Sequence, residues 1–546
     1  MSDRRYTIGL DFGTLSARAV IADVSDGSLL PYESIFTYPH AVITSLGGKQ
    51  LPPNYALQHP LDYVNALDFL ISDLISKSNV SASEIIGIGI DFTDCTVFPV
   101  DKDLTPLCLL EKYKNEPHAY AKLWKHHTNE KYAQEIERAA LAYDSSILSV
   151  TGGKMTSEFL IPKLYEVFCE ARHVYDEADK FILGGDFIAC LLINRKDIHS
   201  KAYIAKQHYN DTRFPERAFF ASLHPDFAGV YEDKTITVLS SVENSVGTLC
   251  KEWAERTGLS QSVAIAAPII DAHGAISASG IETGCAVLAL GTSAVVEAVT
   301  EHTSEIKGVL AHSYETVASK LTTIEAGLAA MGDLFDWFIK NSLPDRYLKN
   351  AEEQGLNIHQ YLRSLAQKQK IGEHGLLALD WWNGSRSITL NNDLSGMILG
   401  LSLSSKPEDI YRALLESTAF GIRRIFDCFL SQGVEIKRIS ATGGIASKDP
   451  LLMQICASVL NIPIECLSSN QATALGSAIY GAVASGVYSS VKDASQAMKR
   501  PVEKIYYPNE AEHIAYEKIY SQYLTLCEYF SKENSIMEFL SQNKRS

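Results

Sequence analysis

Hydrophobic and polar positions along the chain predict two similar hairpins, one near each end of the first 300 residues. Residues 6–23 form two apolar runs around a polar turn that contains Gly13, a pattern typical of a β-hairpin. Residues 285–299 repeat the pattern, with apolar runs on either side of Gly291-Thr292-Ser293. A recurring unit of this kind indicates a structural duplication, in which each half opens with a strand, a turn and a strand.

Between and after these hairpins, strand-like and helix-like segments alternate. Apolar positions at helical spacing predict helices over residues 60–76, 410–430, 449–460 and 472–485, and a tyrosine-rich helical segment over 510–540. Apolar runs predict strands over 85–91, 436–442 and 462–466. This alternation favours an α/β protein. We place the boundary between its two halves in residues 271–285, where a short segment of small residues intervenes.

Composition and charge narrow the class of protein. The chain has 546 residues, which is more than one hydrophobic core usually serves, so we expect two or more domains. Hydrophobic residues make up 46% of the chain and charged residues 21%. Its net charge of −16 disfavours nucleic acid as a main partner, because phosphate backbones attract basic surfaces. The sequence lacks a bilayer-spanning apolar run, a signal-peptide stretch and any Cys-x-x-Cys pair among its ten cysteines. We therefore expect a cytoplasmic protein with reduced thiols and no membrane partner.

The turns of the two hairpins carry candidate chemistry. In Asp11-Phe-Gly13-Thr14, a carboxylate ends a buried strand, which is unfavourable without a partner, and Gly13 allows a ligand to approach the backbone closely. One interpretation is that Asp11 faces a magnesium ion while Thr14 binds phosphate; the alternative is an ordinary turn. Gly291-Thr292 is equally ambiguous alone. Two such turns facing each other across a cleft are typical of the actin-type ATPase fold.

Two further segments fit a nucleotide site and its reaction. Thr442-Gly443-Gly444 ends a predicted strand before a helix. It either leaves room for adenosine against the backbone or is a tight β-to-α connection. Asp271 ends an apolar run and precedes His273, which we expect to be structural. Phosphoryl transfer needs a carboxylate to accept the hydroxyl proton, and Asp271 fits that role, although an N-cap of the following helix is the alternative.

Together, these motifs resemble the FGGY family of carbohydrate kinases. The similarity spans residues 8–481, and within the family it is greatest to the L-ribulokinases, with the string Leu379-Asp-Trp-Trp-Asn-Gly384-Ser-Arg386 as its most specific sign. The motifs that follow the order and spacing of the family are Asp11-Phe-Gly-Thr, Gly-Ile-Gly-Ile-Asp91, Asp271-Ala-His-Gly, Gly291-Thr292-Ser and Thr442-Gly443-Gly444.

The resemblance implies a fold and a domain organisation. The implied fold is the two-lobed α/β ATPase fold shared by actin, hexokinase and the Hsp70 chaperones, with duplicated ribonuclease-H-like domains around a cleft. We expect a sugar-binding domain over residues 1–278, a nucleotide-binding domain over 279–488 and a helical tail over 489–546. Many such kinases are dimers, so the resemblance also raises a homodimer, although no sequence feature marks an interface.

The resemblance also implies an activity and roles for single residues. The activity is magnesium- and ATP-dependent transfer of the γ-phosphate to a terminal hydroxyl of a ketopentose, with ribulose as the first candidate. Asp271 is the implied general base, and Asp11 the residue near the metal. The remaining implied contacts are Thr14, Gly291 and Thr292 to the phosphates, Gly443 and Gly444 to adenosine, and Lys206 and Glu325 to the sugar, for which charged hydrogen bonds are well suited.

Two departures from the ribulokinase pattern leave the acceptor open. Asp94 stands where these kinases usually have a small residue whose backbone touches the sugar. Its carboxylate would either accept an additional hydroxyl hydrogen bond or crowd the site. His126 stands where an acid is usual, and we expect both residues to flank the sugar site. The alternatives are a kinase for another ketose or polyol, such as D-ribulose, xylulose or a ribitol-like compound, and a nucleotide-dependent sugar sensor without turnover.

Overall fold

Most strands of the protein belong to two large mixed sheets, one in each half of the chain. The computed structural model describes residues 4–301, 304–468 and 471–545. In the first sheet, Tyr6–Phe12 pairs antiparallel with Ser16–Asp23 and parallel with Ile85–Phe92. In order across the sheet, the strands are Ser245–Thr248, Ala264–Ala266, Ile85–Phe92, Tyr6–Phe12, Ser16–Asp23 and Ser34–Thr37, and Ile269–Ile270 also pairs with the third of them.

The second sheet repeats this pairing at its centre. Cys285–Leu290 pairs antiparallel with Ala294–Thr300 and parallel with Arg438–Thr442, so both predicted hairpins and the duplication are observed. In order, its strands are Ala311–Tyr314, Thr322–Leu328, Ala294–Thr300, Cys285–Leu290, Arg438–Thr442, Ile464–Leu467 and Val502–Tyr506. The last strand lies within residues 489–546, which therefore add a strand to this sheet besides the expected helices.

Short strands form smaller sheets. A four-stranded sheet contains, in order, Lys180–Leu183, Val97–Val100, Ala121–Lys122 and Leu57–Gln58. Two hairpins pair Ser45–Leu46 with Lys49–Gln50 and Leu377–Leu379 with Met397–Leu399. In the four-stranded sheet, Val97 pairs with Lys122, which ties the chain after Ile85–Phe92 to the segment that carries Trp124.

The helices agree with the apolar spacing of the sequence. The four predicted helices are observed as Pro60–Lys77, Pro407–Ser431, Pro450–Leu460 and Ala472–Ala484, and the tyrosine-rich segment as Glu510–Glu528 and Ile536–Arg545. Local sequence explains several starts, because the first three carry proline in the first turn, where an amide proton is not needed. The other helices are Glu130–Tyr143, Leu160–Glu170, Arg172–Glu177, Gly184–Ile193, Arg217–Leu223, Val230–Lys234, Lys251–Thr257, Asp271–Ser279, Gly332–Ser342, Asp345–Glu353, Ile358–Ala366, Gly444–Lys448 and Val491–Met498.

Two helices pack against each other where the halves meet, and glycine makes this contact possible. A Cβ added at Gly476 of helix Ala472–Ala484 would lie 2.1 Å from the carbonyl oxygen of Gly274 in helix Asp271–Ser279. Helix Ala472–Ala484 also lies on the first sheet, since a Cβ added at Gly89 would lie 1.7 Å from one of its carbonyl oxygens. A side chain at either position requires a backbone shift. This packing brings the first turns of both helices to one edge of the first sheet.

Each half has its own hydrophobic core. The core around the first sheet includes Ile8 and Ile88, and the core around the second includes Leu288 and the fully buried Trp381. In the ranges that the structure describes, no helix has both the length and the apolar character that a membrane crossing needs.

Candidate active site

The first hairpin turn lies beside a pair of carboxylates. The Gly13 amide donates to the carbonyl oxygen of Ser16 at 3.0 Å and closes the turn. On the adjacent strands, Asp11 and Asp91 are direct neighbours in the parallel register. Helix Ala472–Ala484 donates to both of them: Thr473 Oγ1 donates to Asp11 Oδ2 at 2.7 Å, and a serine one turn later, Ser477, donates to Asp91 Oδ2 at 2.5 Å. The buried Oδ1 of Asp91 has no hydrogen-bond partner in the described chain.

A third carboxyl group, Asp271, has a raised pKa. Burial, and then the charge of Asp11, raise the pKa of Asp271 from its ordinary value of 3.8 to about 7. The same two causes raise the pKa of Asp91 well above its ordinary value. Asp271 is the first residue of helix Asp271–Ser279, whose N-cap position is Ile270, so the N-cap alternative does not hold. A carboxylate that titrates near neutral pH is suited to accept and release a proton.

The second hairpin turn accepts backbone hydrogen bonds on one side and has free space on the other. The carbonyl oxygens of Gly291 and Thr292 accept from the amides of Gly332 at 3.0 Å and Met331 at 2.8 Å. A Cβ added at Gly291 would have no described heavy atom within 4 Å. The turn is therefore fixed from behind, while space remains for a ligand in front of it.

The third glycine segment lies directly behind the second turn. Gly443 has φ +96°, and a Cβ added there would lie 2.5 Å from the carbonyl oxygen of Leu290, the residue before Gly291. A Cβ added at Gly444 would meet no described atom within 4 Å. The tertiary structure thus brings Gly291, Thr292, Gly443 and Gly444 into one cluster with open space beside it. Gly443 also forms the tight connection between a strand and a helix, which the sequence offered as the alternative to adenosine binding.

A cavity of about 210 Å³ lies between the two halves of the chain. Gly13 and Thr14 of the first turn and Ser293 of the second turn line it, so the two turns face the same space. Asp271 also lies in its wall. The other lining residues are Thr93, Asp94, Trp124, Glu158, Lys206, Ile270, Ala272, Val295, Glu325 and Arg386.

Lys206 lies at the centre of a buried ion cluster in this cavity. Its Nζ is 2.9 Å from Asp94 Oδ2, 3.0 Å from Glu325 Oε2 and 3.1 Å from Glu325 Oε1. Burial disfavours the ammonium, but the charges of Asp94 and Glu325 outweigh it and raise the pKa of Lys206 well above its ordinary value. Burial likewise disfavours the Glu325 carboxylate, yet Lys206 and Arg386 lower its pKa. Lys206 and Glu325 are therefore both charged at neutral pH.

Family membership follows from comparison with known proteins. Residues 6–277 match the N-terminal domain of the FGGY family of carbohydrate kinases, and residues 286–485 match its C-terminal domain. The chain belongs to this family. It is a sugar kinase with the two-domain α/β fold of that family.

Relatives of this kinase extend over nearly the whole chain. The ribulokinase of Halalkalibacterium halodurans is 40% identical over 552 residues, which cover 99% of this chain and 98% of the relative. The ribulokinase of Bacillus licheniformis is 39% identical over 97% of this chain and 98% of its own. Among solved structures, the ligand-bound xylulose kinase of Lactobacillus acidophilus superposes with a TM-score of 0.81 at 19% identity, covering 97% of this chain and 99% of its own. The glycerol kinase of Plasmodium falciparum with ADP superposes with a TM-score of 0.75 at 16% identity, covering 96% of this chain and 98% of its own.

Of the two departures in the kinase sequence, Asp94 lies in the cavity wall and His126 does not. His126 is fully buried beside Glu166, with its Nε2 3.1 Å from Glu166 Oε2. The same carboxylate oxygen accepts from Lys122 Nζ at 2.7 Å. Burial, and then the charge of Lys122, lower the pKa of His126 to about 3. The expectation that His126 flanks the sugar site is therefore wrong; its segment reaches the cavity through Trp124.

His273 is buried next to the cavity and neutral. It borders a water-sized space of about 10 Å³ together with Asp94, Lys206 and Glu325. Burial lowers the pKa of His273 to about 4, and the backbone of Thr316 interacts with its ring. The Nδ1 of His273 has no hydrogen-bond partner in the described chain, and its structural role stays a prediction.

Sequence reasoning assigned no role to several residues of the kinase that contribute to this site. Arg386 belongs to the quoted string, and its Nη2 lies 3.6 Å from Glu158 Oε2 and 3.7 Å from Glu325 Oε1. Asp91 belongs to a quoted strand, and its position beside Asp11 follows from parallel pairing. Glu158 carries no motif at all, so only its place in the cavity wall identifies it.

Proposed function

We propose that this kinase transfers the γ-phosphate of ATP to the terminal hydroxyl of a ketopentose, with L-ribulose as the principal acceptor and L-ribulose 5-phosphate as product. The observation that carries the proposal is Asp271, a half-buried carboxyl group with a pKa of about 7 in the wall of a cavity that residues of both hairpin turns line. The name ribulokinase, borne by relatives that match nearly the whole chain, supports the choice of sugar.

In this proposal, Asp271 accepts the proton of the attacking hydroxyl. Its Oδ1 accepts from the amide of Ala272 at 2.9 Å, which fixes the carboxyl group while Oδ2 remains for the acceptor. Lys206 and Glu325 orient the sugar through charged hydrogen bonds, and Asp94 contributes a further acceptor. Correct orientation supplies much of the rate enhancement, because phosphoryl transfer requires little covalent chemistry from the protein.

The nucleotide fits the second turn and the glycine cluster behind it. We assign Thr14, Gly291 and Thr292 to the phosphates, and Gly443 and Gly444 to adenosine. The open space beside Gly291 and Gly444 supports this assignment, because a side chain at either position would fill it. ATP, when bound, supplies the phosphoryl group for transfer.

The residues near the first turn fit a magnesium ion that is held mainly through phosphate and water. Among the described residues, no group of three or more His, Cys, Asp or Glu side chains is arranged to hold a metal. Magnesium in kinases commonly keeps several waters and takes only one or two carboxylates besides phosphate. We assign the half-buried Asp11 to this role. The ion would neutralise developing negative charge.

The test is a coupled ADP-release assay of the purified protein with a panel of ketopentoses. We expect L-ribulose to raise ADP release well above the rate with ATP alone. If ATP binds and no ketopentose raises ADP release, the proposed function is wrong. Asp271→Asn is the matched variant: ATP binding should persist while turnover falls by at least ~10²-fold, the usual contribution of general base catalysis.

Two further proposals concern the state of the protein in the cell. We propose a cytoplasmic location, which the ten free cysteines of the described chain support, because oxidising compartments favour disulfides. We also propose the homodimer that the family resemblance raises. Light scattering of the purified protein measures its mass directly, and a mass of 60.1 kDa would exclude the dimer.

A further inference from the structure

A buried histidine links two segments of the first half of the chain. His199 Nδ1 lies 2.6 Å from Asp186 Oδ2, and His199 Nε2 lies 3.1 Å from Gln207 Oε1. All three side chains are buried, and the described wall of the cavity between the halves contains none of them. Both ring nitrogens have a partner, so the ring of His199 connects the segment of Asp186 to the segment of Gln207.

Asp186 anchors this link to a regular element. It lies in the first turn of helix Gly184–Ile193, which follows directly on strand Lys180–Leu183. Its second oxygen, Oδ1, accepts from the Ser200 amide at 3.0 Å. One carboxyl group thus holds both the ring of His199 and the backbone that follows it, so the ring has little freedom to turn.

The other end of the link reaches the residue next to Lys206 in the sequence. Gln207 Nε2 has no hydrogen-bond partner in the described chain, so the contact with His199 is the hydrogen bond that fixes this amide. An amide can present its oxygen or its amino group to a ring nitrogen, so a charged and a neutral imidazole can both form this bond. The hydroxyl of Tyr231 donates to the carbonyl oxygen of Gln207. His199 and Tyr231 together fix the residue beside Lys206.

The backbone position of Lys206 decides whether its ammonium group reaches its partners. The chain around it forms two short 3₁₀ turns, Lys201–Tyr203 and Ala205–Gln207. Hydrogen-bond geometry within such turns is poor, so contacts with neighbouring elements determine where they lie. Lys206 Nζ is 2.9 Å from Asp94 Oδ2 and 3.0 Å from Glu325 Oε2. A shift of about 1 Å would break this geometry, and misplacement on that scale can slow an enzyme by up to ~10²-fold.

We propose that His199 is a positioning residue, which holds Lys206 in place for the sugar by linking Gln207 to Asp186. The inference rests on the proposed function and adds to it a residue that touches neither sugar nor ATP. The glycine residues that we assign to the nucleotide lie on other elements, in the second half of the chain. Loss of the link should therefore impair the use of the sugar and leave the use of ATP unchanged.

The test measures the KM for L-ribulose and for ATP by ADP release in two variants. In His199→Asn, the asparagine amide replaces Nδ1 beside Asp186 but does not reach Gln207; in Gln207→Met, the other partner of the same hydrogen bond is removed. We expect each to raise the KM for L-ribulose at least about fivefold and to change the KM for ATP less than about twofold. A role in stability alone would lower the amount of active enzyme, and so kcat, without changing either KM.

A double variant shows whether His199 acts through Lys206. If it does, adding His199→Asn to Lys206→Met should change kcat/KM for L-ribulose less than about twofold, because the group that His199 positions is already absent. If the losses of the two single variants multiply in the double variant, His199 acts independently of Lys206 and the inference is overturned.

The remaining outcomes separate this inference from the function on which it rests. A KM for L-ribulose that rises less than about fivefold in both variants, or a KM for ATP that rises as much, overturns the role of His199 and leaves the kinase proposal intact. Absence of turnover with every ketopentose overturns both. If His199→Asn does not fold, Gln207→Met, which leaves the pair of His199 and Asp186 in place, gives the result alone and together with Lys206→Met. His173→Asn, which removes an exposed histidine of the same half, is the control and should leave both KM values unchanged.

Discussion

Replacing the proposed base should make the protein less active and more stable, and the size of the second effect follows from the structure. Asp271→Asn keeps the shape of the side chain and the Oδ1 atom that accepts from the Ala272 amide. It removes a half-buried carboxyl group whose pKa has risen from 3.8 to about 7. One pKa unit corresponds to about 1.36 kcal/mol, so ionising Asp271 at high pH opposes folding by about 4 kcal/mol at most.

The pH dependence has a definite sign. Because the pKa of Asp271 is higher in the folded protein than in the unfolded chain, the folded state retains a proton between pH 3.8 and about 7 that the unfolded chain releases. Below pH 3.8 this carboxyl group is neutral in both states and does not oppose folding, and it destabilises the folded state increasingly as the pH rises through that window. Asparagine does not titrate. The free energy of unfolding of Asp271→Asn should therefore equal that of the unchanged protein near pH 4 and be higher above pH 7.

The assay is thermal or urea unfolding without ligands at pH 4.5 and pH 8, beside ADP release at pH 8. Relaxation of the protein and water in the cleft make the effect of the charge smaller than this upper limit. We therefore expect the free energy of unfolding of Asp271→Asn to exceed that of the unchanged protein by about 1–3 kcal/mol at pH 8. Turnover should fall by at least ~10²-fold. If the variant is equally or less stable than the unchanged protein at pH 8, the electrostatic reasoning about Asp271 is refuted. If its turnover stays within a few fold, Asp271 is not the base.

Three further predictions address the base, the sugar contacts and the packing between the halves. In the unchanged protein, kcat/KM for the sugar should fall about tenfold per pH unit below about pH 6 and level off above about pH 8, because Asp271 must be deprotonated; a flat profile over this range contradicts that requirement. Lys206→Met should raise the KM for L-ribulose by at least ~10-fold and change the KM for ATP by less than about threefold, because the lost ion pairs lie in the sugar cavity. Gly89→Ala should lower the free energy of unfolding by more than about 3 kcal/mol, because its Cβ would lie 1.7 Å from backbone. The comparison variant Gly153→Ala, whose Cβ has open space but whose φ is +90°, should lose only about 1–2 kcal/mol in urea titrations.

The sequence alone determined the local elements and the class of chemistry. Alternation of apolar residues around Gly13 and Gly291 predicts both hairpins, because strand pairing across a short turn depends on neighbouring residues. Helical spacing predicts Pro407–Ser431 to within a few residues. The motifs at Asp11 and Asp271 indicated phosphoryl transfer and, with the family resemblance, the roles that we propose.

Only the tertiary structure decided how these residues act on one another. Lys206 meets Glu325 across 119 positions of sequence, and no spacing rule connects them. The pKa of Asp271 depends on burial and on the charge of Asp11, which arrives from a strand 260 residues earlier. His126 stands near Trp124 in sequence, yet it turns away into a buried cluster with Glu166, because burial and hydrogen bonding there are set by a helix that the local pattern does not specify. Electrostatics and packing act through space, and the order of residues along the chain leaves those distances open.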